Sequence, residues 1–429
     1  MSEREPFKYI DEHRTESIEY LRSLVKRYPE GEEPLQAHLA KRFDALGCEV
    51  HVEKLMPTDV QLSKEFAVKE TIDMVPRTHI IGRLRGTGGG RSLMLITHPD
   101  GDPIQTEGWS KPPHEGVVEG GKMYGWGVAD DLAGIAMMVE ATRAVTASGT
   151  RLRGDLYLMS ACAKRNAWGI AALLRAGYRA DAGIYVHPAE SELGLKEIKA
   201  MTSGLLKFRI TVMGQRPPKT EFVQTTFNHL GVNPIEKAAK IIGALNQLNE
   251  ERNKRVYYKA LVDAVGRSTN LLVPHIHSGT TSNLTDVPPS CVIGASLTFP
   301  PNEDIEAVMK EVEAYLNRFY DSDEFLRTKR PVLEWIQGTQ GVEMSEELAV
   351  VQVTKKAIET VTGKMPFSNP LYSKSDLRTP VLIAGIPNVA FGPLAGDLAT
   401  TGGRNEWVDI NDYIISTKVL AKIILDWCG

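Results

Sequence analysis

Two histidines and a pair of aspartates occupy positions where they could bind a divalent metal ion. His98 follows the apolar run "SLMLIT", and His187 follows the apolar run "GIYV". Asp130 and Asp131 begin the helix-like segment "DDLAGIAMMVEATRAVTASG". Imidazole nitrogen and carboxylate oxygen suit zinc, manganese and similar divalent ions. These residue types indicate a metal site, with Asp100, two residues after His98, available to orient its imidazole.

Each of these residues also has a purely structural interpretation. A single histidine at a strand end is more often structural than a ligand, and two aspartates before a helix often only cap it. The metal interpretation depends on convergence, because ligands of open α/β sheets bind outside the carboxyl ends of the strands. The elements that carry these side chains must therefore bring them to one edge of one sheet.

Strand-like and helix-like segments alternate over most of the chain. This alternation predicts an α/β, phosphorylase/hydrolase-like catalytic domain, with a mixed sheet and helices on both faces. Within it, "HIIGRLRG" and "SLMLIT" are interpreted as a strand pair separated by "GTGGG". Between residues 204 and 338 the order becomes βαββαβ, which is typical of a ferredoxin-like two-layer domain. We therefore predict a small domain of residues 204–338 inserted into a catalytic domain of residues 1–203 and 339–429.

Composition narrows the classes of partner. The 429 residues carry a formal net charge of -4 with both signs interspersed, so nucleic acid is not an expected partner. No stretch approaches the roughly 18 uninterrupted apolar residues of a membrane span, and the charged N-terminus lacks the apolar region of a secretory signal. Four scattered cysteines without CxxC spacing predict a reduced, cytoplasmic protein.

Longer segments of the chain resemble a known family. The segments "LMLITHPDGDP" and "GWSKPPHEGVVEGGKMYGWGVADDLAGIAMMVEA" are similar to the hallmark region of the dinuclear-metal aminoacylase and carboxypeptidase G family, which includes acetylornithine deacetylases. The blocks "TVMG", "NHLGVNPI", "SDLRTPVLIAGIPNVAFGP" and "NEWVDIND" follow in the family's order. The resemblance implies that the inserted domain is a lid that also forms a homodimer interface.

The resemblance also implies a ligand set for one metal ion. The family's histidine and bridging aspartate match His98 and Asp130, and His187 stands where the family has an acidic residue. The same resemblance implies that Asp131, next to the bridging aspartate, is a catalytic residue.

The ligands of the family's second metal are missing from this chain. Its Glu-Glu pair falls on Ala163 and Lys164, and its C-terminal histidine falls on Gly402. A shift of the alignment cannot replace them, because no acidic residue occurs from 156 to 180 and the last histidine is His277. The resemblance therefore implies a single divalent ion, manganese or zinc. Lys164 would place an ammonium near the vacated position, unless it is a solvated surface residue.

The altered site changes the expected reaction. The residue matching Ala163 is the family's general base, and its loss removes roughly 10²–10⁴-fold of acid–base catalysis. We therefore predict a metal-dependent hydrolase of a non-peptide C–N bond in a small, carboxylate-bearing substrate. The specific hypothesis is an aromatic aminohydrolase similar to 5-nitroanthranilate aminohydrolases, which form 5-nitrosalicylate and ammonia. The alternatives are an amidohydrolase, deacylase or metallopeptidase with an atypical base, and an inactive binding protein.

Four further residues have roles implied by the resemblance. His229 in "FNHLG" matches a histidine that reaches the partner subunit's site and stabilises an oxyanion, although it could be a simple surface residue. Arg378 in "SDLR" matches an arginine that binds a substrate carboxylate, the alternative being a surface salt bridge. Asn283 and Glu406 are weaker candidates for contacts with the substrate or the metal ligands.

Overall fold

One mixed six-stranded sheet forms the centre of the protein in the computed structural model. The structure describes residues 4–56, 60, 64–67, 75–101, 104, 107–162, 168–188, 191–218, 222–372, 375–396 and 404–429. The last four strands of this central sheet are mutually parallel, and the first two are antiparallel to their neighbours. In spatial order the strands are Glu49–Leu55, Arg77–Leu84, Leu156–Ser160, Leu93–Thr97, Ala182–Val186 and Asn388–Phe391.

The predicted pairing of strand Arg77–Leu84 with strand Leu93–Thr97 is wrong. Strand Leu156–Ser160 lies between Arg77–Leu84 and Leu93–Thr97, antiparallel to the former and parallel to the latter. The glycine-rich connection does not form a hairpin because it packs against the main chain that leads into the intervening strand. A Cβ at Gly86 would lie 2.4 Å from the carbonyl oxygen of Arg153.

Helices cover both faces of the central sheet, as predicted. Leu93 and Leu95 point into one hydrophobic core, while Met94 and Ile96 point into another, as strand alternation requires. The first core lies under Arg4–Glu12, Arg14–Arg27, Glu32–Ala45, Ala133–Ala147, Ala349–Thr362 and Ile410–Cys428, and the second lies under Trp168–Arg175 and Arg378–Ala384.

A second, antiparallel sheet carries the predicted βαββαβ order. Its spatial order is Asn270–Ser278, Ser290–Phe299, Gly204–Met213, Val332–Thr339 and Glu65–Ala67. Helices Pro234–Arg255 and Ile305–Ser322 share its hydrophobic core, and Lys259–Val265 and Glu324–Thr328 are short additional helices. The side chains of Asn233 and Asp304 cap the two long helices by accepting hydrogen bonds from main-chain N–H groups.

Strand Glu65–Ala67 joins this second sheet although it precedes residue 203, within the range predicted for the catalytic domain. It pairs with the end of Val332–Thr339, so that Glu65 lies opposite Thr339. Outside the sheet, Lys64 makes an ion pair of 2.6 Å with Asp304. A segment of the first half of the chain therefore covers one edge of the second sheet.

The remaining strands are short. Val117–Glu119, Lys122–Tyr124, Trp407–Asp409 and Ala395–Gly396 form a small sheet, and two pairs join Met201–Thr202 to Val342–Glu343 and Glu197–Ile198 to Phe367–Ser368. Among the described residues, no helix has both the length and the apolar character needed to cross a membrane.

Helix Ala133–Ala147 approaches the central sheet most closely at Gly134. A Cβ at this position would lie 2.0 Å from the carbonyl oxygen of Val186 and 2.2 Å from Oδ1 of Asp131. We expect Gly134→Ala to lower the free energy of unfolding by about 1–3 kcal/mol, because helix and sheet must separate. Gly243→Ala is the matched control, since nothing lies within 4 Å of a Cβ there. It should stabilise by about 0.5–1 kcal/mol, as measured by urea unfolding. Equal stability of the two variants would contradict this packing.

Candidate metal centre

The two predicted metal-binding histidines follow adjacent parallel strands. Ile96 is the register partner of Tyr185, and His98 and His187 each come two residues later. Both imidazoles therefore emerge side by side at the carboxyl edge of the central sheet. Their ring centroids are 5.9 Å apart, and both side chains are buried.

The two aspartates lie against these imidazoles. They belong to an irregular turn, Val128–Leu132, that leads into helix Ala133–Ala147, and the peptide bond between them is cis. Oδ1 of Asp130 is 3.2 Å from Nε2 of His98, and Oδ1 of Asp131 is 3.4 Å from Nδ1 of His187. Each histidine thus has one carboxylate oxygen beside a ring nitrogen.

His98, Asp131 and His187 form a group whose candidate ligand atoms all lie within 4.8 Å of one another. The Nδ1–H of His98 donates to the carbonyl oxygen of Asp100 at 2.8 Å, which leaves Nε2 with its lone pair. Nε2 of His98 and Oδ1 of Asp131 are buried, and neither makes a hydrogen bond of good geometry with any described residue. Two such atoms facing each other fit a bound cation, and their chemistry suits zinc or manganese.

This group differs from the predicted ligand set in one member. Asp131, predicted as a catalytic residue, takes the place of Asp130, although Asp130 also contacts His98. Burial raises the pKa of Asp131, and the imidazoles of His187 and His98 oppose that rise. Asp131 is also the more deeply buried of the two, with 1 % of its surface exposed against 9 % for Asp130.

Asp100 supports His98 mainly through its main chain. Its carboxylate lies 3.9 Å from Nδ1 of His98 and accepts a hydrogen bond from Arg77 at 3.1 Å. Arg77 also pairs with Glu32 at the start of helix Glu32–Ala45. The carboxylate therefore anchors the loop whose carbonyl oxygen sets the imidazole tautomer.

Two residues around the site were not predicted from the sequence. The ring of Tyr185 stacks on His187 with centroids 5.0 Å apart. Its position two residues before His187 on a strand places both side chains on the same face, which was a usable signal. Asp376 is buried; burial raises its pKa, and the charges of Arg378, His98 and His187 oppose the rise. In the sequence, only its position in the segment "SDLR" could have indicated that Asp376 lies near the site.

Arg378 is buried and lies in an ion-pair cluster. Its Nε and Nη2 donate to the two carboxylate oxygens of Glu65, the latter at 3.3 Å, and its Nη1 donates to the carbonyl oxygen of Ser375 at 2.6 Å. Asp376 lies 3.7 Å from the same Nη1. The guanidinium predicted to bind a substrate carboxylate thus holds a carboxylate of the chain itself, and its role toward substrate stays a prediction.

The remaining predicted residues that the structure describes are Glu406, His229 and Asn283. Glu406 is buried and accepts a hydrogen bond of 3.4 Å from the N–H of Ala129, directly before the two aspartates. His229, in the short 3-10 helix Gln224–Leu230, and Asn283, on a loop, are both exposed and do not belong to the histidine–aspartate group of this chain.

Three positions that the resemblance compares with the second metal site cannot be located. Ala163, Lys164 and Gly402 lie outside the described residues. The predicted role of Lys164 as a fixed cation therefore stays a prediction.

Known proteins resemble this chain in sequence and in fold. A curated deformylase of Bacillus subtilis, named for N-formyl-4-amino-5-aminomethyl-2-methylpyrimidine, is 24% identical over 98% of this chain and 97% of its own length. A succinyl-diaminopimelate desuccinylase of Leptothrix cholodnii is 26% identical over 66% of this chain and 68% of its own length. The crystal structure of a Staphylococcus aureus tripeptidase shares the fold, with a TM-score of 0.71 and 18% identity over 97% of this chain and 98% of that one.

The sequence profile of peptidase family M20/M25/M40 matches residues 94–426, which include both histidines, both aspartates and the whole second sheet except Glu65–Ala67. This match confirms the predicted family and fold. The chain belongs to peptidase family M20/M25/M40 and is a metal-dependent hydrolase of that family.

Proposed function

We propose that this chain is an amidohydrolase that removes a formyl or similarly small acyl group from the nitrogen of a small molecule, using one divalent ion. The observation that carries the proposal is the convergence of buried nitrogen and oxygen donors from His98, Asp131 and His187 within 4.8 Å. The names of two relatives, a deformylase and a desuccinylase, both denote removal of an acyl group from nitrogen. They favour the amide-cleaving alternative over the aromatic aminohydrolase that the sequence suggested.

Residues of this chain prepare the site for an ion and a substrate. The carbonyl oxygen of Asp100 holds His98 in the tautomer that presents Nε2, and Asp131 contributes a buried negative charge. Asp130, 3.2 Å from the same Nε2 and more exposed, is the further ligand that the resemblance implies. A zinc or manganese ion held by these donors would supply Lewis acidity at the site.

The number of metal ions tests the single-ion part of this proposal. We expect about one ion per chain in the purified, metal-loaded protein, because a single cluster of buried donors is present among the described residues. His98→Ala should abolish tight binding, whereas His277→Ala, on an exposed position of strand Asn270–Ser278, should not. The measurement is metal content by mass spectrometry after gel filtration. Two ions per chain, or unchanged loading of His98→Ala, would contradict the proposal.

The reaction itself is tested with two kinds of substrate. We expect the metal-loaded protein to release formate from an N-formylated aminomethyl arene, with no ammonia from 5-nitroanthranilate. His98→Ala should lower kcat/KM for the formamide by more than about 100-fold, since loss of a supporting residue alone typically costs 10–100-fold. Ammonia and nitrosalicylate from the second compound would instead restore the aromatic aminohydrolase hypothesis. Activity on neither compound, together with no bound metal, would favour the inactive binding protein.

We also propose that the second sheet acts as a lid and forms a homodimer through its edge strand Asn270–Ser278. Leu272 and Ile276 are 61% and 50% exposed on this edge, where an unpaired strand can pair with a second copy. Such a dimer is the arrangement in which exposed His229 and Asn283 could reach the partner's site. The cytoplasmic location expected from the sequence stays a prediction.

Changing the two exposed apolar residues of this edge should separate the dimer. We expect Leu272→Lys combined with Ile276→Lys to halve the mass measured by light scattering, because like charges would face each other across the paired edges. Val118→Lys is the control, since Val118 is 40% exposed in the small sheet. A wild-type monomer, or a double variant that remains dimeric, would disprove this interface.

A further inference from the structure

A carboxylate of the chain itself pairs with the guanidinium of Arg378, which interacts with residues around the candidate metal centre. Glu65 receives hydrogen bonds from two nitrogens of Arg378, and the third nitrogen donates to the carbonyl oxygen of Ser375. The side chains of Arg378 and Glu65 are 1% and 4% exposed, respectively. The chain itself thus contacts all three guanidinium nitrogens, and a substrate carboxylate would have to displace Glu65 to pair with Nε and Nη2.

This arginine lies within the electrostatic neighbourhood of the centre. Asp376, 3.7 Å from Nη1 of Arg378, interacts with the charges of His98 and His187 as well. Tyr185, which stacks on His187, also interacts with Arg378. A charge that remained unbalanced on Arg378 would therefore be felt where the substrate binds.

Glu65 is held in place by its own strand. Its main chain pairs with Thr339 in the second sheet, and the side chain of the preceding Lys64 makes an ion pair of 2.6 Å with Asp304. Displacing Glu65 would break a buried, hydrogen-bonded ion pair and leave its carboxylate without that partner, which is unfavourable. A substrate carboxylate would have to compensate this cost before its own pairing with Arg378 could contribute to binding.

We propose that Glu65 is a specificity-determining residue that blocks Arg378 and selects substrates without a carboxylate on the carbon next to the scissile amide nitrogen. The inference rests on the proposed amide hydrolysis and narrows its substrate class to uncharged amides. It replaces the carboxylate-bearing substrate that the sequence suggested. The pyrimidine in the name of the Bacillus subtilis relative likewise carries amino, aminomethyl and methyl groups and no carboxylate.

A matched pair of substrates tests this directly on the wild-type, metal-loaded protein. N-formylbenzylamine and N-formylphenylglycine differ only by the carboxylate on the carbon that bears the nitrogen. We expect kcat/KM to favour the uncharged compound, and Glu65→Gln to move the ratio toward the charged one by about 10- to 100-fold, the range of one charge-assisted hydrogen bond. Glu334→Gln is the control, because Glu334 makes a comparable but exposed pair with Arg209.

A binding measurement keeps the inference testable without turnover. In Glu65→Ala, acetate should occupy the vacated guanidinium and raise the melting temperature in a concentration-dependent way, whereas acetamide, its uncharged analogue, should not. In the wild-type protein and in Glu334→Ala, acetate and acetamide should have the same effect on the melting temperature. Absence of hydrolysis of both formamides by the wild type would disprove the proposed reaction, and the acetate measurement would still decide the role of Glu65.

Three results would overturn the inference. One is a wild-type preference for N-formylphenylglycine that Arg378→Lys removes, which would show that substrate displaces Glu65. Another is an unchanged substrate ratio in Glu65→Gln. The third is equal stabilisation of Glu65→Ala by acetate and acetamide. If Glu65→Ala does not fold, the wild-type preference and Glu65→Gln decide alone.

Discussion

The parallel pairing of strands Leu93–Thr97 and Ala182–Val186 is the constraint on which the candidate site depends. Because the register places Ile96 opposite Tyr185, the histidine that directly follows each strand arrives at the same height on the same edge. A slip of one residue would turn one imidazole to the opposite face of the sheet. The hydrophobic cores on both faces prevent such a slip, since each strand buries alternate residues in different cores.

The buried side chains of His98, Asp131 and His187 would lower the stability of the fold if their role were only structural. A buried carboxylate oxygen, Oδ1 of Asp131, and a buried imidazole nitrogen, Nε2 of His98, cost free energy when they lack good hydrogen bonds. The neighbouring polar residues do not relieve this cost, because the carboxylate of Asp100 is paired with Arg77, and Asp376 lies beside Arg378. Binding of a cation is the simplest way to compensate the cost, which is why function rather than stability explains these side chains.

The sequence predicted the features that depend on local pattern. Apolar runs ending in a polar residue located His98 and His187, and periodicity located the helices and the βαββαβ unit. Which strands neighbour each other depends on tertiary packing, so the position of strand Leu156–Ser160 between Arg77–Leu84 and Leu93–Thr97 was missed. Asp130 and Asp131 could not be told apart, because adjacent residues in an irregular turn follow no period that assigns their side chains to a face.

Glu65 shows most clearly what a sequence pattern cannot contain. It lies 313 residues from Arg378 along the chain, on a strand of three residues with no periodic signal. The pair also joins the two sheets, since the strand of Glu65 belongs to the second sheet and Arg378 begins a helix packed on the central one. Any motion of the second sheet relative to the central one must carry Glu65 with it or break the pair. The proposed selectivity against carboxylates and one contact between the two sheets therefore rest on the same buried pair.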